Sequence, residues 1–128
     1  MARTVTQEIY KLSSQGPFSK DFGLKDQMRR SAVSIMSNIA EGFDRGGNRE
    51  FLQFLALAKG SAGELESQLF VAFDQQYISS TQFQNLRASV LQTKRLIGGL
   101  MSYLHQSDKK GSKFNSQRHT VVAKEHSK

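Results

Sequence analysis

The side chains of this sequence best suited to chemistry are its three histidines, His105, His119 and His126, and the carboxylates that would have to stand near them. A helical protein builds a di-metal carboxylate centre when two helices each carry Glu-x-x-His and the others each add a glutamate. None of the three histidines follows a glutamate by three positions. Cysteine is absent and the histidines are not paired at ligand spacing, so a zinc site lacks its donors as well. His119 and His126 read as solvated residues, and neither a metal nor a cofactor is expected. Nucleophilic catalysis needs a serine beside a base, and no histidine lies in the central part of the chain to serve one. Gly46-Gly47-Asn48-Arg49 precedes a helix but lacks the spacing and the lysine of a phosphate-binding loop. An anion could sit at that helix N-terminus beside Arg45 and Arg49; a tight turn with solvated arginines is the simpler reading. The sequence therefore reads as that of a protein that is not an enzyme.

What remains is positive charge. The chain carries 18 Lys and Arg against 11 Asp and Glu, for a net charge of +7. Residues 1–106 hold 12 of those bases and 9 of the acids, so more than half of the excess lies in the last 22 residues. Arg45, Arg49 and Lys59 cluster around the end of the second apolar segment and the start of the third. Arg29 and Arg30 lie at the far end of the second and need not join them in a monomer, and Lys94-Arg95 adds a pair further on. The first five are the candidate nucleic-acid-binding residues. No aromatic residues interleave with them in the sequence, so the contact expected is to phosphate and steeply salt-dependent. Scattered solubilising charge is the competing reading.

The elements that would position these residues are helices. With one proline in 128 residues, nothing interrupts long helical runs. Val5, Ile9 and Leu12 predict a short helix over about 4–15, ended by Gly16-Pro17, with Phe18 and Phe22 turned inward. Met28, Ala32, Ile35, Ile39 and Phe43 form the core stripe of a second helix, about 24–43, with Asp26 near its positive end and Gly42 with Gly46-Gly47 at its close. Phe51, Leu55, Ala58, Ala62, Leu65, Leu69 and Ala72 alternate steps of 4 and 3, predicting a third helix over about 48–75 with Asn48 as N-cap. Phe83, Leu86, Val90, Thr93, Ile97, Leu100 and Leu104 do the same for a fourth, capped by Ser79 or Ser80 and running to about Gln106.

The predicted architecture is all-α: an up-down-up-down antiparallel four-helix bundle over 1–106, followed by a disordered basic C-terminal tail over 107–128. Ser34, Asn38 and Glu41 lie along one edge of the second helix, where buried polar groups would fix register through hydrogen bonds to neighbouring backbone. The run Gly60-Ser61-Ala62-Gly63 places small residues inside a helix at a cost of about 1 kcal/mol per glycine. Close helix approach, within the bundle or between subunits, would offset it. No signal peptide and no membrane-length apolar run is present in the sequence, and with no cysteine the expected setting is the cytoplasm.

Two blocks add a resemblance. Phe22-Gly-Leu-Lys-Asp-Gln-Met-Arg-Arg-Ser-Ala-Val-Ser-Ile-Met-Ser-Asn-Ile-Ala-Glu-Gly-Phe43 resembles the signature of the 23S rRNA-intervening sequence proteins. Phe51-Leu-Gln-Phe-Leu-Ala-Leu-Ala-Lys-Gly-Ser61 and Glu64-Leu-Glu-Ser-Gln-Leu69 resemble that family's next block, and the similarity extends over about residues 8–104. The resemblance implies a cytoplasmic bacterial four-helix bundle that assembles into a ring, typically a homopentamer. It also implies distant kinship with the accessory variability proteins of diversity-generating retroelements, basic pentamers that bind RNA and a reverse transcriptase. Met36 stands where the family commonly has proline, and the chain lacks the tryptophan of the usual, longer first helix. The partners expected are further copies of the chain and RNA or a nucleic-acid-processing protein, with no membrane. The alternative is a protein–protein scaffold with no nucleic-acid role.

Overall fold

The computed structural model describes the backbone of residues 1–121 and the side chains of residues 1–107. Four helices account for nearly all of it: α1 (Ala2–Leu12), α2 (Phe22–Arg45), α3 (Asn48–Asp74) and α4 (Ser80–Val121), with a short 3-10 turn (Gly16–Lys20) between the first two. They follow one another around an up-down-up-down bundle, each packed on its sequence neighbours, and α1 closes the circuit against α4. α2 runs unbroken through Met36.

The long-range seam is the predicted one. Leu55, Ala58, Ala62, Leu65, Leu69 and Ala72 of α3 are buried, as are Phe83, Leu86, Val90, Thr93, Ile97 and Leu104 of α4. Three apolar residues expected inside lie outside. Phe22 is 71% exposed because it opens α2, and Leu24, two residues and 200° further round, takes the inward position. Phe43 is also 71% exposed. Its stripe steps by 4 more often than by 3 and drifts round the helix, so Gly42, five full turns beyond Leu24, faces the interior instead. On α4, Met101 packs against the core where Leu100 was expected.

The ends of the helices explain why they stop where they do. Asp21 caps α2, its Oδ1 accepting the N–H of Leu24 at 3.1 Å. Gly46 ends α2 in the left-handed conformation at φ 84°, which a side chain would resist. Gly47 is the N-cap of α3 and Asn48 its first residue. α3 ends in a Schellman motif: the N–H of Tyr77 reaches back to Ala72 O and that of Gln76 to Phe73 O, both at 2.9 Å. Ser79 then begins α4 with a reciprocal capping box, its N–H donating to Gln82 Oε1 at 2.8 Å while its Oγ accepts from Gln82 N at 3.1 Å.

Gly42 is not an end marker but an internal contact. A Cβ there would stand 2.8 Å from Phe54 Cβ and 2.9 Å from Phe51 Cδ1, so the absence of a side chain lets α2 and α3 meet. The helix α4 continues past Gln106, where its apolar stripe stops, as far as Val121. The expected tail, 107–128, falls almost wholly on residues whose side chains, or from 122 whose backbone too, lie outside the described residues.

Candidate nucleic-acid interface

The five basic residues separate into two groups and one outlier. Arg29 and Arg30 line one groove on the α1–α2 side of the bundle. Arg45 and Arg49 flank the Gly46-Gly47 turn, and fifteen residues of α2 put Arg45 about 22 Å along the axis from Arg30. Lys59, exposed on α3, stands about 15 Å from Arg49 along that helix. A single chain therefore does not gather the five into one patch.

Their engagement differs as much as their place. Arg29 is fixed: Nε donates to Ser13 Oγ at 2.9 Å, and Nη2 donates to Ser14 Oγ at 2.9 Å and Tyr10 O at 3.3 Å. Its guanidinium lies 4.3 Å from the centre of the Tyr10 ring, so it staples α1 to α2. Arg45 pairs with Glu41 at 3.0 Å and sits over the Phe54 ring at 5.2 Å. Arg30 meets Asp26 at 3.6 Å with both side chains largely in solvent, a pairing worth little. Arg49 is exposed at the start of α3.

Arginine and aromatic residues do interleave, in space rather than in sequence. Besides Tyr10 under Arg29 and Phe54 under Arg45, Phe70 lies under Arg87 at 5.2 Å. Residues 19 and 17 positions apart meet in two of these pairs, and nothing local in the sequence announces that. A fourth basic centre had a readable signal. Glu66 accepts from Arg87 Nε and Lys94 Nζ, each at 3.2 Å, across α3 and α4. Each of the three directly follows a seam residue, Leu65, Leu86 and Thr93, and so flanks the interface of the two helices. Burial alone would push the Glu66 carboxyl up, but the hydrogen bonds from Lys94 and Arg87, with their charges, outweigh it and hold it below its ordinary range.

The polar edge of α2 is structural. Ser34 Oγ and Ser61 Oγ share a hydrogen bond at 2.8 Å between α2 and α3, and Asn38 Nδ2 donates to Ser34 O and Oγ at 2.9 and 3.0 Å. The register bond thus runs side chain to side chain, while Asn38 serves its own helix and Glu41 faces solvent. Ser61 and buried Ala62 carry the close approach of the small-residue run; a Cβ at Gly60 or Gly63 would meet nothing within 4 Å. Among the described residues no three His, Asp or Glu side chains group as a metal site, and no helix is long and apolar enough to cross a membrane.

Apolar surface is left open beside the start of α1. Leu96, Leu100 and Tyr103, spaced 4 and 3 on α4, are 56%, 36% and 66% exposed. Beside them a groove of about 400 Å³ is lined by Ala2, Met36, Ile39, Ala40, Leu96 and Ile97. It lies where α1 begins and ceases to cover α2 and α4.

The same arrangement of helices is found in a solved structure. A protein of unknown function from the S23 ribosomal protein family of Bacteroides thetaiotaomicron VPI-5482 superposes with a TM-score of 0.69 at 24% identity. The match covers 78% of this chain and 90% of that one. No curated protein matches the chain. The family described as 23S rRNA-intervening sequence protein matches residues 1–99.

Proposed function

The chain belongs to the 23S rRNA-intervening sequence protein family, and from that premise we propose that it is a non-catalytic bundle that assembles with copies of itself and presents basic side chains to RNA or another nucleic acid. The observation that carries this reading is the apolar stripe Leu96, Leu100 and Tyr103 with its adjoining groove, a surface of the kind that proteins cover by association. Assembly matters for the second half of the proposal. Arg30, Arg49 and Lys59 are exposed but far apart, and repeating them around a ring, such as a pentamer in the cytoplasm, converts weak contacts into useful avidity.

The test is the molar mass in solution, with RNA binding followed by anisotropy across a salt series. Replacing Leu96 and Leu100 with lysine is expected to yield monomers and to weaken RNA binding by about tenfold despite the added charge. A monomeric wild-type protein would overturn the assembly. The second reading, a protein–protein scaffold, is favoured by the pairing of Arg45 with Glu41, which leaves less charge free for phosphate. Assembly without any RNA binding would select it.

A further inference from the structure

The groove between α1 and α2, about 570 Å³, is lined by Tyr10, Asp26, Arg29, Arg30, Val33 and Ser37. We propose that this groove is a binding site for single-stranded nucleic acid. It takes one phosphate between Arg30 and the free Nη1 of Arg29 and one unstacked base against the Arg29–Tyr10 stack. The inference rests on the nucleic-acid reading above and adds to it a place and a preference for single strands.

Arg29 is suited to this because it is already ordered. Its three hydrogen bonds use Nε and Nη2, while Nη1 donates to no group among the described residues. A guanidinium held in place loses little conformational freedom when a ligand arrives. Its guanidinium carbon lies 4.3 Å from the centre of the Tyr10 ring, which is 42% exposed, so the pair offers an aromatic face and a fixed cation of the kind against which bases stack. Arg30, whose side chain is 82% exposed, has a loose solvated ion pair with Asp26 and can swing to a phosphate. Val33 supplies apolar surface and Ser37 a hydroxyl on the same wall.

The choice of side follows from charge. Arg30 stands on a ridge, and the groove on its other flank holds Glu64 and Gln68, whose buried Oε1 has no donor among the described residues. On that flank Glu64 offsets the charge of Arg30, whereas the α1–α2 flank has two guanidinium groups against one carboxylate. A duplex keeps its bases stacked inward and cannot use the Tyr10 platform.

The experiment is anisotropy of a short fluorescein-labelled oligouridine, and of an RNA duplex of equal length, with the full chain across a salt series. Arg30→Ala is expected to weaken oligouridine binding roughly fivefold and to reduce the salt slope by about 0.7, the loss of one single-strand phosphate contact. Asp26→Asn should tighten binding, and the single strand should bind better than the duplex. Thermal melts confirm that both variants fold. If oligouridine binds but neither variant changes its affinity, or if Arg49→Ala alone lowers it, the groove is not the site while the nucleic-acid reading stands. If the wild-type chain binds neither probe, both fall and a protein partner is indicated.

Discussion

Tyr77 donates its hydroxyl to Asp21 Oδ2 across 2.9 Å, while Oδ1 of the same carboxylate caps α2 at Leu24 N. One side chain thereby both begins a helix and ties it to the α3–α4 link, and Phe18 stacks on the Tyr77 ring at 5.2 Å to cover the join.

Removing that carboxylate should be felt at both ends. Asp21→Ala is expected to lower stability by about 1–2 kcal/mol in urea melts, from the lost cap and the lost side-chain bond. Tyr77→Phe keeps the stack and should cost less. The hydrogen bond to Asp21, with burial and the Asp21 charge, holds the Tyr77 hydroxyl above its ordinary range. Its contribution is therefore complete below the ordinary phenol value and lost as pH rises through the raised one. Urea melts at rising alkaline pH should show the wild type losing more stability than Tyr77→Phe; equal losses would remove the bond from the account.

Glu66 has the opposite dependence. Its depressed folded value means that the stabilisation is present above the ordinary glutamate value and is lost as pH falls through the folded one. Glu66→Gln is expected to cost about 1 kcal/mol at neutral pH and to flatten the acid limb of the stability profile below the ordinary glutamate value. A variant that tracks the wild type throughout would show that Arg87 and Lys94 contribute nothing through it.

The glycines separate by what a methyl group would meet. Gly42→Ala must displace Phe51 or Phe54 and is expected to destabilise by about 2 kcal/mol. Gly60→Ala and Gly63→Ala enter open space and should stabilise the isolated bundle by about 0.5–1 kcal/mol each. Should these two variants instead weaken self-association, the glycines serve an approach between subunits; thermal melts and molar mass on the same samples distinguish the two.

Gln76 holds a left-handed backbone at φ 63° without being glycine. Gln76→Gly should raise stability by about 0.5–1 kcal/mol, or several degrees in Tm, by relieving the Cβ clash at C′ of the Schellman motif. Gln76→Val should lower it.

Much of the fold is legible in the residues themselves. Seams that alternate 4 and 3 over several turns leave α3 and α4 one common way to bury their apolar side chains, and a short link then makes them antiparallel. Towards the ends of α2 and α4 the pattern loses its hold. Phe43 and Leu100 fit a helical repeat by spacing yet are exposed, and only neighbouring Gly42 and Met101 show which side the partners occupy. Similarly, Gly42 has the composition of a helix end and the position of a helix contact, and its role depends on two phenylalanines from another helix.

For the candidate site the division is sharper. Composition and spacing alone determined that the chain is helical and basic, and they named Arg29, Arg30, Arg45, Arg49 and Lys59. Tertiary structure decided which of these charges are available. Hydrogen bonds and ring contacts fall off within a few ångströms, so the staple of Arg29 to Tyr10, Ser13 and Ser14 exists only once α1 has docked on α2. Helical periodicity is a property of one segment and can be read from it; a guanidinium's partners come from another segment, and packing alone brings them within reach.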